Sequence, residues 1–90
     1  MNKATGPSRA ATGSITANTD STLTLANPSS CVLIDNHSGE TANIRLNGAA
    51  TNTIFDLQLA DGERAWITDI VVKTIHVYVN ATSGIHAVYW

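Results

Sequence analysis

Charged residues are scarce in this chain of 90 residues, and long apolar runs are absent. Only 13% of the residues are Asp, Glu, Lys or Arg, and the net charge is −2. A chain with so little positive charge lacks the basic face that nucleic-acid phosphates require, so we expect no direct nucleic-acid binding. No apolar run approaches the roughly 18 residues of a membrane span, so we expect no membrane insertion. Residues 1–6 show no apolar signal segment, which favours synthesis in the cytoplasm without export.

Cysteine is represented once, by Cys31, and this limits how the fold can be stabilised. One cysteine forms no internal disulfide, and no Cys/His spacing typical of a metal site is present, so we expect no metal and no cofactor. The length allows one domain, whose core alone rarely yields more than about 3–5 kcal/mol of net stability. Association is the remaining common stabiliser, so we predict a homo-oligomer.

Patterns typical of enzymes are missing from the sequence as well. It contains neither a Gly-x-Ser-x-Gly nucleophile elbow nor a glycine-rich phosphate loop. The seven carboxylates are spread over turns and strand ends, and no spacing predicts a converging acid–base pair. Cys31 begins an apolar segment, where cysteine usually serves as a small hydrophobe. We therefore predict that the chain is not an enzyme.

Thr, Ser and Asn supply the polarity that charge does not, with 12, 7 and 8 residues respectively. From residue 21 onward, short segments of alternating apolar and polar residues are separated by turn residues at spacings near ten. Thr is well suited to such half-buried pleated surfaces. The pattern predicts an all-β domain over residues 21–90, a small β-sandwich or jelly-roll-like barrel of about seven antiparallel strands. The predicted strands contain residues 23–25, 31–34, 44–46, 55–59, 64–68, 75–79 and 85–90.

Two turn signals suggest how neighbouring strands pair. Asp61-Gly62 between apolar segments predicts a hairpin. If the last two strands also pair around the turn at residues 81–84, His76 and His86 lie on one face. Two imidazoles on adjacent strands are a start for a metal site, but no further ligand is indicated. We therefore expect both histidines at exposed polar positions or at a subunit seam.

The first twenty residues differ from the rest, and we call them the N-terminal arm. The arm carries Lys3, Arg9 and Asp20, for a net charge of +1, and Ile15 is its one large aliphatic residue. A segment so poor in apolar residues cannot offset its ordering entropy by burial, so we expect it to be loose in isolation. The alternatives are a disordered tail and an extended arm that orders on a partner. In the second case Lys3, Arg9 and Ile15 are the candidate partner-binding residues.

The aromatic residues near the C-terminus are the other candidates for binding. Trp90 ends the chain, and its ring either fills a groove on a subunit or partner, where aromatic residues are enriched, or packs over the end of its own sandwich. Trp66, Tyr78 and Trp90 together are also candidates for a sugar-stacking platform. Core and interface roles for these rings are the more common alternative.

Four stretches of the sequence share a pattern of apolar, amide and glycine residues. They are residues 33–39 (Leu-Ile-Asp-Asn-His-Ser-Gly), 44–51 (Ile-Arg-Leu-Asn-Gly-Ala-Ala-Thr), 55–63 (Phe-Asp-Leu-Gln-Leu-Ala-Asp-Gly-Glu), and 75–79 (Ile-His-Val-Tyr-Val) followed by Thr82-Ser83-Gly84. This pattern resembles small auxiliary virion proteins of tailed bacteriophages, a group that comprises capsid decoration or cement proteins and related head fibres. The resemblance covers about two thirds of the chain. These elements are turn chemistry and not active-site chemistry.

The resemblance implies a structural protein on the outer surface of a phage head, often a trimer, which binds the major capsid protein or another virion protein. The arm would then tie the protein to the shell, reaching about 60 Å at roughly 3.3 Å per residue. The alternatives are a structural module of the tail, collar or fibre, and a carbohydrate-binding module that uses Trp66 and Tyr78 for stacking.

Overall fold

The computed structural model describes residues 7–90, which form two antiparallel β-sheets of four strands each. The first sheet has the strand order β1-β8-β3-β6, and the second has the order β2-β7-β4-β5. The predicted all-β class is confirmed, and the sheets pack in a sandwich-like arrangement. The strands are β1 (Arg9–Ala10), β2 (Ser21–Ser29), β3 (Val32–Asn36), β4 (Ala42–Leu46), β5 (Leu57–Leu59), β6 (Arg64–Ile67), β7 (Val72–Tyr78) and β8 (Ile85–Tyr89).

The core lies between the sheets and follows the alternation of the sequence. Val32 and Ile34 of the first sheet and Ile44, Ile75 and Val77 of the second are fully buried. The residues that alternate with them point away from the core and are half-buried or exposed, except Asn43 of β4, which is 8% exposed. Because successive side chains of a strand point to opposite faces, this single pattern fixes which residues form the two outer faces.

Within residues 7–90, every connection between strands except the one from β4 to β5 crosses from one sheet to the other. The predicted hairpin at Asp61-Gly62 is therefore wrong, because β5 belongs to the second sheet and β6 to the first. Gly62 does adopt the positive φ of 86° that such a turn favours. The turn chemistry thus reverses the chain correctly, but it does not determine which sheet the chain returns to.

The last two strands do not pair either, since β7 lies in the second sheet and β8 in the first. His76 consequently lies on the outer face of the second sheet, and His86 lies on the outer face of the first. The expectation that these two histidines share a face is wrong for the same reason as the hairpin.

The described part of the N-terminal arm lies against the sandwich. Arg9 and Ala10 form β1, which pairs with β8 at the edge of the first sheet. Two residues later Thr12 and Thr24 exchange backbone hydrogen bonds of 3.0 and 2.8 Å with each other, which attaches the arm to β2 of the second sheet. Residues 9–12 thus close one side of the sandwich. The predicted boundary at residue 20 does not separate the strands of the sandwich from the arm.

The strand that the sequence predicts over residues 55–59 begins two residues later, at Leu57. Phe55 therefore lies before β5, and it is 36% exposed. Asp56 takes over the hydrogen bonding to β4 before β5 begins, because its N–H donates to the carbonyl of Ile44 and its carboxylate accepts the N–H of Leu46.

In the described residues no helix is long and apolar enough to cross a membrane.

Candidate interaction surfaces

The four predicted partner-binding residues fall in different surroundings. Lys3 lies outside the described residues. Arg9 is exposed on β1, at the edge of the first sheet. Ile15 is half-buried and packs against the core of its own chain. Trp90 follows β8 and is half-buried. Of these, Arg9 presents the most exposed side chain, and Ile15 and Trp90 each present part of theirs.

Trp90 packs against a ring of its own chain on the outer face of the first sheet, which is neither of the two arrangements that the sequence suggested. Its ring stacks on Trp66, with centroids 5.5 Å apart and planes inclined by 26°. Its backbone is fixed as well, because its N–H donates to the carbonyl of Cys31 and its carbonyl accepts the hydroxyl of Ser29 at 2.7 Å. Trp66 remains 51% exposed. The pair therefore forms a fixed aromatic surface, and a contact with a partner at this surface stays a prediction.

The strand register places the aromatic pair at the end of an apolar row. On the outer face of the first sheet, Ala10 lies beside Val88, Val88 beside Leu33, and Leu33 beside Trp66. This row runs across all four strands of the sheet. We call these four residues together with Trp90 the tryptophan face. The sequence does not reveal it, because its members come from four separate segments that only the strand order brings together.

A charged row lies beside the tryptophan face. Asp35 of β3 has Arg64 of β6 on one side and His86 of β8 on the other. The Asp35 carboxylate contacts Nε2 of His37 at 2.8 Å and Nε of Arg64 at 3.7 Å. Its Oδ1 atom is buried and accepts no hydrogen bond from the described residues. The first sheet thus presents an apolar strip flanked by groups that donate and accept hydrogen bonds.

The sugar-stacking platform of Trp66 with Tyr78 is not formed. Tyr78 lies on β7 and is directed to the outer face of the second sheet, on the opposite side of the sandwich from Trp66. Trp66 and Trp90, in contrast, are brought together by the stacking described above.

The outer face of the second sheet carries a chain of polar contacts around His76. Its Nδ1 lies 3.2 Å from the carboxylate of Asp20, and its Nε2 lies 3.0 Å from the hydroxyl of Thr74. Asp20 also accepts the N–H of Ala50 at 2.9 Å. A hydroxyl, an imidazole and a carboxylate in this order resemble the arrangement that activates nucleophiles. In this molecule these contacts join the end of the arm to β7 and to the loop after β4.

The remaining metal-ligating and nucleophilic side chains are separated. Among residues 7–90, no three His, Cys, Asp or Glu side chains are grouped closely enough to hold a metal ion. Cys31 is 2% exposed and lies in the core region, as its apolar surroundings in the sequence predict. His37 is exposed and forms the ion-pair contact with Asp35 described above.

Three of the turns that carry the phage resemblance pack against one another at one end of the sandwich. The N–H of His37 donates to the carbonyl of Gly84 at 2.7 Å, which joins the first and the last of these turns. The N–H of Gly39 donates to the Asp61 carboxylate at 2.9 Å, which joins the first to the second. We call this set, residues 36–40, 60–63 and 82–84, the turn cluster.

Asn36 occupies the centre of the turn cluster and is fully buried. Its side-chain amide donates to the carbonyls of Glu40 and Leu59, at 2.8 and 2.9 Å. Its side-chain oxygen accepts both the N–H and the hydroxyl of Ser38. Every hydrogen-bonding position of this amide is used, so it holds the first sheet, the turn and β5 of the second sheet in one arrangement.

No family model matches the chain, and no curated protein or solved structure matches it. Function is therefore inferred from the residues and surfaces described above, together with the resemblance of the turn elements.

Proposed function

We propose that this protein is a structural component of a phage particle, a decoration or cement protein that binds the outer surface of the head. Its partner is the major capsid protein or another virion protein, and it acts as a homo-oligomer without enzymatic activity. The work it performs is mechanical, because a protein bound across neighbouring shell subunits resists the outward pressure of packaged DNA.

The turn cluster is the observation that supports this proposal most directly. The stretches that resemble decoration proteins are far apart in the sequence, yet three of them meet around Asn36. A pattern made only of separate surface turns would carry little information, because Gly, Asn and Asp are common in all turns. Here the residues depend on one another for hydrogen bonds, so the turns that carry the resemblance form one tertiary unit of this chain.

The attachment to the shell is proposed to involve the edge where the arm and the tryptophan face adjoin. Residues 7–20 contact their own sandwich, so they are not an independent strap. Arg9 is exposed at this edge, and Lys3 precedes it in the sequence. Each exposed ion pair contributes only about 0–1 kcal/mol. A homo-oligomer that engages several sites at once gains about 10²–10⁴-fold in apparent affinity through effective concentration.

The test is to add the purified protein to phage heads that lack it and to measure occupancy by quantitative mass spectrometry. We expect saturable binding at hundreds of copies per head. The double variant Lys3→Glu/Arg9→Glu should bind at least tenfold more weakly, whereas Lys73→Glu, an exposed charge reversal on β7, should bind normally. Native particles with a dozen copies or fewer would instead support a tail, collar or fibre module. Absence of the chain from particles would refute the proposal.

A second candidate function is carbohydrate binding, and the exposed stack of Trp66 on Trp90 favours it. An indole surface stacks on the apolar face of a sugar, and the adjacent charged row offers partners for its hydroxyls. A glycan array tests this function. Trp66→Leu should abolish binding of every glycan that the unaltered protein binds, and Tyr78→Leu on the opposite sheet should leave that binding unchanged.

A further inference from the structure

The four edges of the two sheets are protected to different degrees. An edge strand presents unpaired backbone groups that another strand can join, and natural proteins shorten, cover or interrupt such edges. Three edges show these devices. β1 is only two residues long. β2 is interrupted by a register shift and is covered in part by the bridge from Thr12 to Thr24. β5 is three residues long, and next to it the Asp56 carboxylate accepts the N–H of Leu46 in β4.

The fourth edge, β6, is four residues long, and within the described residues it is neither interrupted nor covered. It pairs with β3 along its whole length, and no strand of the described residues lies on its other side. The N–H of Asn36 donates to the carbonyl of Glu63, and antiparallel bonding alternates from there. Ala65 and Ile67 therefore direct their backbone groups to β3. Arg64 and Trp66 direct theirs to the open side.

We propose that β6 is a self-association site, at which the β6 strand of a second copy adds in antiparallel orientation. The twofold axis passes beside Trp66, and the two first sheets continue into one sheet of eight strands. Such an isologous contact satisfies both open edges at once, since the same surface is used on both copies. This site goes beyond the shell-binding function and does not depend on it.

The side chains of β6 are compatible with this pairing and favour a second copy as the occupant. With the axis at Trp66, Ala65 of each copy lies opposite Ile67 of the other, and Arg64 lies opposite Thr68, the residue directly after β6. No like charges therefore face each other within the strand, and the two acidic residues Glu63 and Asp69 face each other only one position beyond it. The two Trp66 rings become cross-strand neighbours, a type of pair that stabilises sheets. Because each Trp66 already stacks on Trp90, the dimer carries a row of four indoles on one face. Pairing covers the edge of the Trp66 indole that faces the second copy, while the outer surface of the ring stays accessible.

The first measurement is the mass of the full chain by sedimentation equilibrium over a range of concentrations. We expect a dimer of twice the 9.5 kDa chain mass. Trp66→Thr keeps a residue that suits strands and removes the indole, and it should weaken dimerisation at least tenfold. Tyr78→Thr removes a half-exposed ring from the opposite sheet and should leave the dimer unchanged. Circular dichroism verifies that both variants retain the β-sheet signal.

Two charge substitutions, made singly and together, test the register in which the two β6 strands pair. Thr68→Arg sets an introduced arginine opposite Arg64 of the other copy and should weaken the dimer by about tenfold. Adding Arg64→Glu to that variant restores an attractive pair and should recover at least the original affinity. Failure of the second change to rescue the first would refute pairing about Trp66.

Other outcomes are equally decisive. A monomer at all concentrations, a trimer, or a dimer that tolerates Trp66→Thr overturns the inference. A monomer that binds glycans through Trp66 overturns it too and assigns this surface to a sugar. A monomer that still saturates phage heads refutes self-association alone, whereas a dimer that never binds heads refutes the shell-binding proposal alone.

Discussion

The hydroxyl of Tyr89 accepts a hydrogen bond of 2.9 Å from the backbone N–H of Ala26, and this bond connects the two sheets. Tyr89 belongs to β8 of the first sheet and is 3% exposed. Ala26 lies in β2 of the second sheet, where the pairing with β7 is interrupted between Thr24 and Ser29. The interruption leaves the Ala26 N–H without a ladder partner, and a core side chain supplies the acceptor.

Tyr89→Phe should lower the free energy of unfolding by about 1–3 kcal/mol, because the ring is kept and the Ala26 N–H loses its acceptor. Urea denaturation followed by fluorescence measures the change. Tyr78→Phe is the matched control, since Tyr78 is half-exposed on an outer face and its change should stay within about 0.5 kcal/mol. Equal effects of the two substitutions would show that the Ala26 bond contributes nothing.

Asn36→Asp should destabilise the protein by at least about 2 kcal/mol at neutral pH. A carboxylate cannot donate to the carbonyls of Glu40 and Leu59, and a charge would be buried among them. Thermal unfolding together with urea denaturation measures the loss. Asn52→Asp, in the exposed loop after β4, is the control and should have little effect. A stable Asn36→Asp variant would contradict the central role assigned to this amide in the turn cluster.

Gly84→Ala and Gly39→Ala should differ, although both positions have positive φ angles, of 95° and 86°. Either substitution costs roughly 1–2 kcal/mol for the left-handed backbone. At Gly84 an added Cβ would also lie 2.6 Å from the Cα of Ser38, whereas at Gly39 it would meet open space. Gly84→Ala should therefore be clearly less stable than Gly39→Ala in denaturant titrations. Similar midpoints would show that the turns are not packed as closely as described.

Ile15→Ala should loosen the arm before it unfolds the sandwich. Ile15 is half-buried against the core, and a cleft of about 450 Å³ lies between residues 10–15 and residues 82–88. We expect a local loss of about 1–2 kcal/mol, which appears as roughly tenfold faster amide hydrogen exchange at Thr12 and Thr24. Ile54→Ala is the control, because Ile54 is 51% exposed. Unchanged exchange at both threonines would show that Ile15 does not hold the arm.

The sequence was most informative where a local pattern has a local cause. Alternating apolar residues predicted strands that correspond to β2 through β8, because a strand that buries one face must alternate. Cys31 was correctly predicted to be a buried hydrophobe. The glycines at positions 39, 62 and 84 marked turns, since each adopts a φ that other residues avoid.

Only the tertiary structure decided how these elements combine. The turns at Asp61-Gly62 and at residues 81–84 reverse the chain, but whether the next strand returns to the same sheet depends on where its apolar face finds a partner. That choice separates His76 from His86 and Trp66 from Tyr78. The same long-range pairing places Trp66 next to Trp90 and makes β1 part of the first sheet. No single segment of the sequence contains this information, because it arises from contacts between segments that are tens of residues apart.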